Sequence, residues 1–112
     1  MNVLKTDDFI SDVEWQFEWY ALNADWNIAD RFLASVESTC WLLGQHPQLG
    51  HRVGLIHPRL RDWRFILVSR PFNKHLLFYE ISDSELILRR AMHGQRDLPK
   101  RLLEPPTTSS GL

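Results

Sequence analysis

Apolar residues recur with helical spacing through the first third of the chain and with strand spacing through the second half. In residues 8–22, "DFISDVEWQFEWYAL", Ile10, Val13, Phe17 and Tyr20 or Ala21 fall at i, i+3, i+7 and i+10 or i+11. That stripe predicts an amphipathic helix, with Asp8 or Ser11 available as its cap and acids in its first turn. After "NAD" at 23–25, Asp25 is placed to cap a second helix running to about Leu43. Its stripe is Ala29, Phe32, Val36, Cys40 and Leu43, and Gly44 offers a C-terminal stop. A connection this short predicts an antiparallel helical hairpin.

Residues 44–58, "GQHPQLGHRVGLIHP", hold three Gly and two Pro and predict a loop. Beyond it the period changes to two. In 61–68, Trp63, Phe65 and Leu67 alternate with Asp62, Arg64 and Ile66. In 75–82, Leu77, Tyr79 and Ile81 oppose Leu76, Phe78 and Glu80; residues 85–92 follow after a tight "SDS" turn. Three consecutive strands with short connections should pair antiparallel, with 2–6 a weaker fourth candidate. The predicted class is α+β: a helix hairpin on one face of a three- to four-stranded, mainly antiparallel sheet. One domain over 1–103 and a disordered tail over 104–112, "EPPTTSSGL", complete the expectation.

Charge adds a polarity that the net value of −1 conceals. Residues 1–44 carry two basic against eight acidic side chains, a balance of −6; residues 45–112 carry eleven against six, a balance of +5. The single cysteine, Cys40, excludes an intrachain disulfide and reads as a core residue. The five histidines (46, 51, 57, 75 and 93) show no ligand spacing on any one element, so neither metal nor cofactor is expected. No apolar run approaches the roughly 18 residues of a membrane span, and the first residues do not read as a signal peptide. A soluble, cytoplasmic protein without membrane contact is expected.

Candidate chemistry gathers at "RRAMHGQRDLP", residues 89–99, where Arg90, His93, Arg96 and Asp97 cluster at the end of the last strand. Arg90 is expected on a face with Leu86, Leu88 and Met92, where a cation must emerge at the rim or find a carboxylate. Four segments together carry a family resemblance. "ADRFLASVESTCWLLGQHPQLG" resembles a helix entering a Pro-x-x-Gly loop, here Pro47 and Gly50. "RLRDWRF" resembles a basic strand opening, "LLFYEI" a strand with a Phe–Tyr pair, and "RRAMHGQRDLP" a closing Arg-x-x-His-Gly-x-Arg-Asp signature. Over residues 2 to about 103 the chain resembles the ParE/RelE superfamily of bacterial toxin–antitoxin toxins, also known as plasmid stabilisation proteins, and is closer to the ParE branch.

The resemblance implies a toxin neutralised by a cognate antitoxin, and ParE-type members poison DNA gyrase. RelE-type members instead cleave mRNA on the ribosome, which needs proton donors, proton acceptors and cations around the phosphate. For that chemistry Arg61, Arg90, His93 and Arg96 are the candidates, with His57 and His75 as further acid–base groups. RelE-like enzymes carry lysines in the region matching 52–64 and a tyrosine at the end of the last strand. This chain has no Lys between 6 and 73 and no Tyr after Tyr79. A non-enzymatic gyrase inhibitor asks only for a folded platform with a charged surface. Its expected contacts to target and antitoxin are Arg59, Arg61, Arg64, Arg90, His93, Arg96 and Asp97. An inactive relative that only binds its antitoxin is the remaining alternative. Trp15 and Trp19 lie off the core stripe of the first helix, in the acidic half, and suggest an apolar surface for the antitoxin or a second copy.

Overall fold

The computed structural model describes residues 1–54 and 58–94. Its elements run β1 (Asn2–Lys5), α1 (Asp7–Asn23), α2 (Trp26–Gln45), β2 (His51–Arg52), a 3-10 turn (Pro58–Leu60), β3 (Arg64–Leu67), β4 (His75–Ser82) and β5 (Glu85–His93). The strands form one sheet in the order β1-β5-β4-β3-β2. β2, β3, β4 and β5 pair antiparallel in sequence order, and β1 joins β5 in parallel, Asn2 opposite Glu85 to Lys5 opposite Leu88. The α+β architecture matches the expectation. β2 is an addition: two residues inside the predicted loop carry no period of their own, and their pairing with β3 alone makes them a strand.

The helices cover one face. Ala29, Phe32, Val36, Cys40 and Leu43 of α2 are all buried, as their spacing predicts. They meet Leu77 and Tyr79 of β4 and Leu86, Leu88 and Ala91 of β5 in the main core. Burial pushes the Cys40 thiol up to about 12, so it stays protonated and apolar in character. Asp25 caps α2 through Ile28 N–H at 2.8 Å. Gly44 does not end α2, which continues to Gln45. A Cβ at Gly44 would lie 3.1 Å from Val3 Cγ2, so the glycine admits β1 against the helix. The other face of the sheet carries a smaller cluster, Leu60, Leu76, Phe78 and Met92 with Val53, Trp63 and Phe65 against it. A sheet covered on both faces explains why nearly all of β4 is apolar.

α1 departs from its predicted face. Phe9, Asp12, Val13 and Gln16 are its buried residues, while Ile10 is exposed. The N-cap is Thr6, not Asp8 or Ser11: its hydroxyl accepts from Phe9 N–H at 3.1 Å and donates to the Arg89 carbonyl at 3.1 Å. One hydroxyl thereby starts the helix and ties it to β5. Asp7 and Asp8 occupy the first turn, where the helix dipole favours acids.

Candidate functional site

β1 ends opposite Leu88, yet the outer edge of β5 continues, and α1 takes over its pairing. Thr6 N–H donates to the Leu88 carbonyl at 3.1 Å. One turn on, the Asp12 carboxylate accepts from Ala91 N–H at 2.9 Å, and Gln16 Nε2 donates to the Ala91 carbonyl at 2.9 Å. Two polar side chains thus stand where a neighbouring strand would offer backbone. They are buried because the edge needs them there, since an unmet buried backbone group costs about 1–3 kcal/mol.

Arg90 joins this arrangement. Its Nε and Nη2 donate to the two oxygens of Asp12 at 2.7 and 3.1 Å, and the residue is only 4% exposed. The expected shared face is corrected by an irregularity in pairing. Phe78 pairs with Arg90 but Tyr79 pairs with Leu88, so β5 gains a residue there. Leu86 and Leu88 consequently face the helices, while Met92 faces the smaller cluster. Arg90 found its carboxylate on α1, and it is not a rim residue. Arg89, at the irregularity, pairs with Glu80 through Nε at 2.8 Å. Burial pushes the Asp12 carboxyl up; Arg90 and the Ala91 N–H pull it back down.

Beside this pair lies a cavity of about 110 Å³, between Asp12, Trp15 and Gln16 of α1 and residues 90–93 of β5. Trp15 Nε1 and Gln16 Oε1 are buried and have no hydrogen-bond partner. His93, exposed, closes one end of the lining and packs against His75, its partner across β4, with ring centroids 4.8 Å apart. Sequence spacing could not reveal this histidine pair, because the two rings meet across strands. His75 itself is buried among Tyr20, Phe32 and Phe72, and its Nε2 lies 2.8 Å from the Tyr20 hydroxyl. Desolvation, and secondarily His93, lowers its pKa to about 4, so it is neutral near pH 7.

Arg59, Arg61 and Arg64 come together elsewhere, around the opposite edge of the sheet. Arg64 sits directly opposite Arg52 in the β2–β3 pair, a cation that sequence reasoning did not single out. Arg64 is half-buried and donates through Nη1 to the Gly50 carbonyl at 3.0 Å; Arg52, Arg59 and Arg61 are exposed. The loop that carries this edge is fixed from beneath. The buried Tyr79 hydroxyl accepts from Gly50 N–H at 2.8 Å and donates to the Pro47 carbonyl at 2.7 Å. A Cβ on Gly50 would fall 2.6 Å from that hydroxyl and 2.7 Å from the Phe65 carbonyl, which explains the glycine. Like charges directly opposite in a sheet cost stability. Their presence here concentrates positive potential on the outermost strands.

The helix hairpin displays the tryptophans. Trp26 and Trp41 are 66% and 68% exposed, Trp19 is also exposed, and Phe17 packs edge-on to Trp26 at 5.8 Å. Trp15 is half-buried at the cavity. His57, Arg96, Asp97 and the expected tail lie outside the described residues. Among the described residues, no three His, Cys, Asp or Glu side chains could hold a metal ion, and no helix is long and apolar enough to cross a membrane.

Comparison with known proteins bears on the same architecture. The family model for the ParE toxin of the type II toxin–antitoxin system parDE matches residues 3–98. A solved structure of the chromosomal ParDE toxin–antitoxin system from P. aeruginosa is similar with a TM-score of 0.70 and 14% identity, over 85% of this chain and 97% of that one. No curated protein sequence matches.

Proposed function

The chain belongs to the ParE toxin family of type II toxin–antitoxin systems, and from that premise we propose that a cognate antitoxin holds it inactive and that, once released, it inhibits DNA gyrase by binding. Support comes from the division of the arginines. Arg90, the cation a nuclease reading would aim at phosphate, is buried and engaged by Asp12. His75, a candidate proton carrier, is buried and kept neutral. Arg52, Arg59 and Arg61 instead stand exposed around the far edge of the sheet, with Arg64 behind them. Arginine forks suit carboxylates and dominate interface hot spots, so this edge suits an acidic protein surface. Arg59, Arg61 and Arg64, now with Arg52, are the proposed contacts; His93, Arg96 and Asp97 are proposed to extend them from the end of β5. Arg90 acts by holding that strand end in place. The exposed Trp26 and Trp41 and the acids around them are proposed to be covered by the antitoxin.

The test is purified DNA gyrase with the purified chain. Supercoiling should be inhibited, relieved by the antitoxin, and much less inhibited by an Arg52→Glu, Arg61→Glu variant that still folds. Unaffected supercoiling at a large molar excess would remove the gyrase reading. Translation arrest with transcripts cut at codon boundaries would replace it with the ribosome-dependent nuclease.

A further inference from the structure

The cavity beside β5 has a wall of mixed chemistry that the gyrase reading does not use. Trp15 and Gln16, consecutive in α1, both line it, and each holds a buried polar atom without a partner: the Trp15 Nε1–H donor and the Gln16 Oε1 acceptor. The Gln16 orientation is set by its surroundings. Its Nε2 donates to the Ala91 carbonyl at 2.9 Å, and turning the amide over would place oxygen against oxygen. The unmet atom is therefore an acceptor, next to an unmet donor.

Those two demands select a ligand class. A carboxylate offers acceptors only, and would meet the Gln16 oxygen and the neighbouring Asp12 carboxylate. An ammonium or guanidinium offers donors only, and would meet the Trp15 N–H and the Arg90 guanidinium. An amide carries one of each. A cavity of about 110 Å³ exceeds the room one water needs. The rest of the lining, Ala91, Met92 and the His93 ring, suits a short apolar stem.

We propose that this cavity is a recognition pocket for an amide group of a polypeptide partner, with Trp15 Nε1 donating to the amide oxygen and Gln16 Oε1 accepting from its N–H. The amide comes from an Asn or Gln side chain or from a main-chain peptide link. The pocket sits beside β5, with β4 and β3 between it and the arginine-bearing edge, so it adds a second point of specificity to whatever protein docks. It stands whether or not that protein is gyrase.

Nuclear magnetic resonance on the full chain tests this, because five tryptophans give five indole N–H signals and Trp15→Phe identifies the one from Trp15. The probes are acetamide for a side-chain amide, N-methylacetamide for a main-chain link, and acetate and methylguanidinium as single-sign controls. The expected result is a saturable downfield shift of the Trp15 signal alone with an amide probe, half-complete on the order of millimolar concentration. Neither control should produce it, and Gln16→Met should abolish it while the remaining spectrum keeps its folded dispersion. Preference for acetamide assigns the side-chain source, and preference for N-methylacetamide the main-chain source. A shift linear in concentration, one shared by all five indoles, or an equal response to acetate overturns the proposal. Because the readout involves no gyrase, its failure leaves the supercoiling result untouched, and the reverse also holds.

Discussion

Removing Asp12 should damage this fold more than any surface substitution, and the structure says by how much. Asp12→Ala takes both carboxylate oxygens from Arg90 and the acceptor from Ala91 N–H. Arg90 is then a guanidinium with 4% of its surface in water and without its charge partner on α1. Breaking a buried pair from one side costs about 3–5 kcal/mol, which includes about 1–3 kcal/mol for a backbone donor left unmet. Domains of this size have a total stability of about 5–15 kcal/mol, so the variant should be marginal at 37 °C. Arg90→Met is the milder change. Burial already raises the Asp12 pKa, and without Arg90 the carboxyl can take a proton and keep one oxygen on Ala91 N–H. A folded pKa above the unfolded one favours the folded state at low pH, so the deficit of Arg90→Met should shrink on acidification and grow as pH rises. Replacing both, with Asp12→Leu and Arg90→Met, should cost less than Asp12→Ala alone. Urea denaturation of the four proteins gives the coupling energy, expected at about 2–4 kcal/mol. Additive single effects of under ~1 kcal/mol each would refute the assignment of Arg90 to the fold.

Three further outcomes are expected. His75 has a folded pKa near 4 against an ordinary 6.5, so the unfolded chain binds its proton first. Its contribution is complete above 6.5 and is lost as pH falls, by about 2 kcal/mol between pH 7 and 5 and about 3 kcal/mol below pH 4. His75→Phe should flatten that part of the pH–stability curve, and an unchanged slope would sink the assignment. Tyr79→Phe removes the hydroxyl that bridges Pro47 and Gly50 and should cost about 1–3 kcal/mol in denaturant melts. Arg52→Glu converts a like-charged cross-strand pair into an opposite one. It should leave stability equal or raise it by about 0.2–1 kcal/mol while weakening gyrase inhibition; loss of both together would mean that Arg52 serves the fold.

Legibility in the sequence followed the chemistry of each element. α2 is apolar on its inner face, so its stripe from Ala29 to Leu43 reads correctly from hydropathy alone. α1 reads one position out of phase. Asp12 and Gln16 are polar residues with an inward task, and a pattern that counts polarity as exposure turns the helix toward Ile10 and Phe17. β4 is covered on both faces, and its alternation correctly divides Leu77 and Tyr79 from Leu76 and Phe78. β5 carries an extra residue in its pairing with β4, and one inserted residue reverses the face of everything beyond it. That step separated Met92 from Leu86 and Leu88 and made Arg90 look like a neighbour of all three. The closeness of His75 and His93, and of Arg52 and Arg64, arises only from strand register, which spacing along the chain does not encode.

The inward Arg90 and the outward arginines are consequences of how the two sheet edges are finished. An open edge is a hazard, because its unpaired N–H and C=O groups recruit other strands. On the β5 side the chain covers the edge, first with β1 and then with the side chains of α1, and Arg90 offsets the charge that Asp12 brings inside. On the β2 side the edge strand is only two residues long and bears Arg52 opposite Arg64. Short length and like charge keep another copy of this chain from pairing there, since it would bring the same arginines. An acidic partner meets no such barrier. One feature therefore discourages self-association and leaves the edge open to a complementary protein, which is what a toxin bound first by an antitoxin and then by a target requires.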